Sequence, residues 1–519
     1  MKKFEIIFIT LFITHFAFSQ QKPNVIYIYA DDLGYGDVSY NGATKLNTPN
    51  IDQLANQGIV FSNGHTTSAT CTPSRYALMT GRYPWRQEGT GILPGDAALI
   101  IPANKTTLPL VFQQAGYQTG IVGKWHLGLG EAVQKNWNVT IKPGPNEVGF
   151  NFSYIFPATA DRVPTVFIEN GNVVGLDLND PIKVSYKEKL GDDPTGKEHP
   201  ELLKMHTDPI QGHDQTIVNN IGRIGYMTGG KTARWTDEEL SFTFLEKAKQ
   251  FMEGNKSKPF FLYFALTSPH VPIAPDEDFK GTSKAGAYGD FIQETDWAVS
   301  QIIVAVKNAG ISDNTIIIFT SDNGSPGQDG TNMSGEMNSI FKYDHYPNAP
   351  FKGMKTDLWE GGHHVPFIVS WPGKIKSNTI STETICHSDL LATCADILKT
   401  PIPLKEAEDS YSLLSLLLDG KNNYERPYTI HHSGTGIFAI RQGDWKLIMT
   451  GNSGGGLIPS KAELINGVPV PLQLYNMKND LQEANNLYLV YPEKVKELKN
   501  LLLQAKNSNG TKYSIRRKY

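Results

Sequence analysis

Three stretches of the chain are apolar or β-branched at nearly every position instead of every second one: Val25 to Ala30, Phe260 to Phe264, and Thr315 to Thr320. Continuous runs of this kind fit strands of a parallel sheet that is covered on both faces. Between them the apolar period lengthens. Thr48-Pro49 opens a segment with Ile51, Leu54 and Ala55 on one face, and Asp296 to Val306 reads as a second helix ending near Gly310. Strands alternating with helices predict an α/β fold, a large doubly wound domain with a mostly parallel sheet. In such sheets ligands bind outside the carboxyl ends of the strands. The polar residues that follow the three runs should therefore converge.

The last hundred residues have another pattern. Ile437 to Met449 and Val468 to Tyr475 look strand-like, and from Pro492 onward Val495, Leu498, Leu501 and Leu502 recur at helical spacing. These predict a smaller C-terminal antiparallel sheet with one helix packed on it. The resulting division is a leader over residues 1–19, a catalytic domain over 20–424 and a C-terminal α+β subdomain over 425–519. Phe150 to Trp235 is rich in Gly, Pro and charge and has no clear period. Insertions of that composition commonly carry substrate loops.

Length and composition narrow the class. With 519 residues, 39% of them hydrophobic and 19% charged, the chain is a globular protein larger than one ordinary domain. A formal charge of −4 gives no bulk reason to expect nucleic acid, so anion recognition must be local. Met1-Lys2-Lys3 and the apolar run from Phe4 to Phe18, followed by Ser19, read as a secretory signal peptide. The run is shorter than the roughly 20 apolar residues a membrane span needs, and no Cys follows it to take a lipid anchor. A secreted or periplasmic protein without a span in its mature chain is expected. The three cysteines, Cys71, Cys386 and Cys394, cannot build a disulfide framework. Cys386 and Cys394 sit in an apolar, helix-like stretch and read as buried small hydrophobes, with a bridge between them as the alternative.

Asp31-Asp32-Leu33-Gly34-Tyr35-Gly36-Asp37 follows the first run directly. Adjacent carboxylates repel, so at a strand end they suggest a hard cation between them, although an ordinary acidic turn has the same residues. The third run ends alike, in Ser321-Asp322-Asn323-Gly324. Oxygen donors without His or Cys suit Ca²⁺ or Mg²⁺ and disfavour zinc. Cys71-Thr72-Pro73-Ser74-Arg75 opens another helix, with Thr72 a suitable N-cap and Gly81 a suitable end. Cys71 then sits where free backbone N–H groups favour an anion. It is a candidate thiolate nucleophile or a structural cysteine, and the chain carries no strong Cys-His-Asn arrangement of the protease type.

Cys71-Thr72-Pro73-Ser74-Arg75, followed by Thr80-Gly81-Arg82, resembles the signature of the type I sulfatases, of the alkaline-phosphatase-like superfamily. Gly123-Lys124-Trp125-His126, Ser268-Pro269-His270 and Phe351-Lys352-Gly353-Met354-Lys355 resemble further motifs of that family, and the likeness runs from Pro23 to about Asn486. The resemblance implies that Cys71 is oxidised to formylglycine (3-oxoalanine) by a formylglycine-generating or anaerobic maturation enzyme. It implies one calcium ion held by Asp31, Asp32, Asp322, Asn323 and an oxygen of residue 71. Arg75 would steady that residue, Lys124, Lys355 and His270 would clamp sulfate, and His126 would take the proton that releases it. His363-His364 stands where the family commonly has an arginine, which suggests a specialised leaving-group site around His364.

The resemblance makes this an enzyme, a sulfuric ester hydrolase. The alternatives are a phosphomonoester or phosphonate hydrolase of the same superfamily and a non-catalytic carbohydrate-binding relative. Export favours a sulfated saccharide as substrate. Arg162, Arg234 and Trp235, with Lys183, Lys187 and Lys189, are candidates to line an anionic sugar channel in the unassigned region.

Overall fold

The apolar run at Val25 becomes the centre of the molecule, strand β1 (Asn24–Asp31), buried along its whole length. Its side chains divide by parity, as a strand covered on both faces requires. Val25, Tyr27 and Tyr29 enter one hydrophobic core, while Ile26, Ile28 and Ala30 enter the other. The computed structural model describes residues 22–132, 135–207, 212–333, 338–418 and 424–508. The expected leader at 1–19 lies outside the described residues.

Strands β2 (Ile59–Phe61), β3 (Gln118–Lys124), β4 (Phe152–Phe156), β5 (Ile168–Glu169), β6 (Asn172–Val173), β7 (Phe260–Pro269), β8 (Thr315–Ser321), β9 (Phe367–Ser370) and β10 (Thr379–Ser381) complete the main sheet. The order of this 10-stranded sheet is β10-β2-β9-β8-β1-β7-β3-β4-β5-β6. The consecutive strands β8, β1, β7, β3 and β4 are parallel. Strand β9 runs antiparallel to both β8 and β2. Five parallel strands therefore present their carboxyl ends along one edge.

Helices cover both faces, as doubly wound packing requires. On one side α1 (Pro49–Gln57), α3 (Leu240–Asn255) and α4 (Gly286–Asn308) pack Leu54, Phe244 and Ile292 against Ile26 and Ile28. On the other, α2 (Cys71–Thr80) and α6 (Leu390–Leu398) bring Tyr76 and Leu391 to Tyr27. In sequence, the one-turn helix α5 (Glu360–His363) comes between α4 and α6. Helix α4 starts at Gly286, earlier than expected, because Tyr288, Phe291 and Ile292 extend its buried face. Cys386 and Cys394 are free and buried, though only Cys394 is helical. No helix among the described residues is long and apolar enough to cross a membrane.

Strands β11 (Thr429–His432), β12 (Phe438–Gln442), β13 (Trp445–Ile448) and β14 (Gln473–Asn476) form the separate antiparallel sheet expected at the C-terminus. Helix α7 (Pro492–Asn507) seals it, with Val495, Leu498 and Leu502 against Ile430, Ile440 and Leu447. The run at Val468 divides: Val468–Pro469 pairs with Leu464–Ile465, and only Gln473–Asn476 joins this sheet. The unassigned region also begins inside the fold, since β4, β5 and β6 extend the main sheet.

Glu294 on α4 is 1% exposed, and its carboxylate accepts the backbone N–H of Asp276 at 2.8 Å. Burial pushes its pKa up to about 7, against a lesser pull from the Ser241 hydrogen bond. A raised carboxyl pKa stabilises below the unfolded value, and that contribution is lost as pH rises through the folded one. Stability should therefore fall by ~3 kcal/mol between about pH 4.5 and 7 on account of Glu294. In Glu294→Gln that fall is expected to vanish, as urea unfolding at pH 5 and pH 8 would measure. Identical losses in variant and wild type would rule out Glu294 as the source.

Candidate active site

The carboxyl edge gathers side chains from distant parts of the sequence because the strands that carry them are neighbours. Asp31 ends β1 and Asp32 follows it, Asp322 and Asn323 follow β8, His270 follows β7, and Lys124 ends β3. All six are buried, at 4% exposure or less. Lys124 Nζ donates to both oxygens of Asp31 at 2.7 Å. Lys355, from the loop before α5, donates to Asp32 Oδ2 at 2.7 Å. Asp32 and His126 hold φ angles of 66° and 54°, a left-handed conformation that costs roughly 1–3 kcal/mol and concentrates at functional sites. The loops also need close backbone approach. A Cβ on Gly324 would lie 1.8 Å from the Gly361 carbonyl oxygen.

Cys71 is the first residue of α2, with Thr70 in extended conformation as the N-cap. The expected cap was Thr72; the helix starts earlier, and the Thr72 hydroxyl instead accepts the N–H of Leu93 at 3.4 Å. Arg75, one turn in and fully buried, donates to Asp322 Oδ2 through Nε at 2.9 Å and Nη2 at 2.7 Å. Burial works against its charge, but Asp322, Tyr263 and Asp31 together outweigh it and hold the guanidinium protonated. Burial also pushes the Cys71 thiol up, and Lys124 and Lys355 only partly offset this. An unmodified Cys71 is therefore a neutral thiol at pH 7, a poor nucleophile.

The acidic residues pass a test for a hard cation. Asn323 Nδ2 donates to Asp32 Oδ1 at 2.7 Å, yet its Oδ1 is buried without a hydrogen-bond partner. An unpaired carbonyl oxygen among three carboxylates is a donor set for calcium or magnesium. His270 joins this group, with its Nε2 3.7 Å from Asp32 Oδ2 and its Nδ1 donating to the Val271 carbonyl at 2.6 Å. Burial pushes its pKa down, and Lys355 adds to that. His126 donates from Nε2 to the Leu93 carbonyl at 2.9 Å, leaving a buried, unpartnered Nδ1. Burial, then Lys124 and Arg162, hold it well below the usual histidine range, so Nδ1 carries a free lone pair.

Of the residues expected to line a sugar channel, the structure brings Arg162 to the edge. It lies in the loop after β4, and its charge acts on both Cys71 and His126. Trp235 is a correction: it is 5% exposed and packed in the core against Phe156 and Phe167. Arg234 is taken up by Asp193 and the Gly229 carbonyl. His364 is a second correction. Its Nδ1 meets Glu360 at 3.0 Å, its Nε2 meets the Ser62 carbonyl at 2.9 Å, and its ring stacks on Phe351, so neither nitrogen is left for a leaving group. His363 is equally enclosed, stacked on His431 with centroids 3.8 Å apart.

Sequence reasoning missed two groups beside the site. Asp37 accepts from Tyr288 at 2.6 Å and meets His345 at 2.7 Å, tying the Asp31-Asp32 loop to the segment that leads to Lys355. Its place in the Asp31 to Asp37 motif was the available signal. Asp161 and His213 pair at 2.9 Å, and no motif marks either.

The profile of the sulfatase family matches residues 23–400. The chain is 46% identical over 490 residues to an N-acetylgalactosamine-6-O-sulfatase of Bacteroides thetaiotaomicron, covering 94% of each chain. It is 32% identical over 434 residues to an arylsulfatase of Hemicentrotus pulcherrimus, covering 82% of this chain and 67% of that one. A solved structure from a study of glycosaminoglycan metabolism by Bacteroides thetaiotaomicron superposes with a TM-score of 0.88 at 45% identity, covering 94% of this chain and 100% of that one. With its alkaline-phosphatase-like sheet and with Cys71, Arg75, Lys124 and the paired aspartates gathered at one edge, the chain belongs to the sulfatase family and is a sulfuric ester hydrolase.

Proposed function

We propose that the protein is an exported sulfatase that removes a sulfate ester from a sulfated saccharide, with a 6-sulfated N-acetylhexosamine as the leading candidate. The observation that carries the reading is Cys71 at a helix N-terminus, beside Arg75, Lys124 and Lys355 and next to an acidic set with an unpaired Asn323 oxygen. The relative at 46% identity supplies the sugar class, and the Met1 to Ser19 segment supports export.

Asp31, Asp32, Asp322 and Asn323 would hold one calcium ion, and Cys71 would be matured to formylglycine. Together these would supply an activated oxygen nucleophile, which a neutral buried thiol is not. The chain's own residues do the rest. Lys124 and Lys355 set two ammonium groups around Cys71 that offset charge on the sulfate oxygens. Arg75 fixes Asp322 and the start of α2. The unpartnered Nδ1 of His126 receives the proton that must leave residue 71. His270, whose Nδ1 proton is held by the Val271 carbonyl, presents an Nε2 that must first take up a proton before it can protonate the leaving oxygen. The rival reading, a phosphomonoester or phosphonate hydrolase, predicts two transition metals in place of one calcium.

Peptide mass spectrometry of active protein tests the central claim. The peptide containing Cys71 is expected to carry the aldehyde in proportion to specific activity. Full activity with only unmodified cysteine would overturn the mechanism.

A further inference from the structure

We propose that His213 is a specificity residue, whose Nδ1 atom accepts a hydrogen bond from a hydroxyl of the sugar that bears the sulfate. This rests on the saccharide reading above.

The placement comes from the sheet. Lys124 on β3 is in register with Phe156 on β4, and the N–H of His126 donates to the Pro157 carbonyl at 3.1 Å. Residues 157–163 therefore run beside the His126 loop at the carboxyl edge. Within them Asp161 Oδ1 and the Thr159 hydroxyl bind Arg162, while Asp161 Oδ2 meets His213 Nε2 at 2.9 Å. The His213 backbone is pinned as well, since a Cβ on Gly222 would lie 2.1 Å from its carbonyl oxygen.

The chemistry follows from hydrogen-bonding capacity. An ionised Asp161 only accepts, so Nε2 of His213 carries a proton, and in that tautomer Nδ1 carries a lone pair. Among the described residues that Nδ1 is buried without a partner, in a side chain 3% exposed. Leaving an acceptor of this kind unmet is costly, and a ligand that donates to it recovers that cost. Sulfate oxygens are acceptors and would repel the lone pair, whereas an alcohol hydroxyl can donate. Arg162, on the same carboxylate, is a donor. Acceptor and donor side by side match what a sugar hydroxyl needs.

The test compares kcat/KM of wild type and His213→Ala for a sulfated monosaccharide, its monodeoxy analogues and an aryl sulfate. The sugar-to-aryl ratio is expected to fall about 100-fold or more in His213→Ala, and one deoxy analogue should be poor for wild type and lose nothing further in the variant. An unmoved ratio in a variant with wild-type melting would overturn the assignment. If His213→Ala does not fold, the analogues decide alone: wild type indifferent, within about tenfold, to every single hydroxyl also overturns it. Wild type that turns over no sulfated sugar at all would instead sink the saccharide reading.

Discussion

Asp322→Ala is expected to lower kcat/KM by about three orders of magnitude or more and to destabilise the fold, because one carboxylate serves two buried partners. Its Oδ2 accepts from Nε and Nη2 of Arg75, and its Oδ1 accepts the N–H of Asp32 at 3.1 Å. Removing it leaves a fully buried guanidinium with only Asp31, 3.6 Å away, as counter-ion. Breaking a buried pair on one side costs ~3–5 kcal/mol. Asp322→Asn separates the two effects, since the amide keeps an acceptor for the Asp32 N–H but loses the charge. It should melt closer to wild type while staying near-inactive. Activity within tenfold of wild type in either variant would show that Asp322 holds no essential cation.

The second large effect lies away from the chemistry. Lys446 on β13 is fully buried and donates to Glu360 at 2.8 Å, and it lies 2.8 Å from Glu483. Glu360 opens α5, and His65, His364 and Arg441 also face it. Burial would raise its pKa, but Lys446 and then His65 hold it well below the usual carboxylate range. Glu483 shares Lys446 without those further partners, and burial pushes it up to about 7. Glu360 is therefore the member that keeps its charge. Lys446→Met is expected to cost ~3–5 kcal/mol by leaving two carboxylates face to face. Lys446→Met with Glu483→Gln should recover part of that loss, since one charge is then gone. A Lys446→Met protein that melts as wild type does would refute the role.

What was legible in the sequence was what depends on period and on rigid local motifs. The runs at Val25, Phe260 and Thr315 are apolar on both sides because both faces of the sheet are covered, and they became β1, β7 and β8. The polar residues after them did converge. Strand β4 escaped notice because its five residues stand among Gly and Pro, too short for a period to show. Trp235 and His364 misled for a shared reason: residue type says what a side chain can bind, while only packing says whether it is free to do so. Trp235 fills space between Phe156 and Phe167, and both nitrogens of His364 are spent inside the protein. His213 was invisible because its meaning lies in one unpaired nitrogen beside a carboxylate that is distant along the chain.

The burial of Cys71 imposes an order in time. In the folded chain it is 2% exposed, closed in by loops that come from residues as far apart as Asp31 and Lys355. Contacts of such wide separation form late in folding. An enzyme that matured Cys71, as proposed, would therefore have to reach it while the chain is still open. Once the Asp31, Asp322 and Lys355 loops have closed around it, the outcome would be permanent for that molecule. On the proposed maturation, a preparation would be a fixed mixture of competent and inert copies, and its specific activity would record how that race was run in the producing cell.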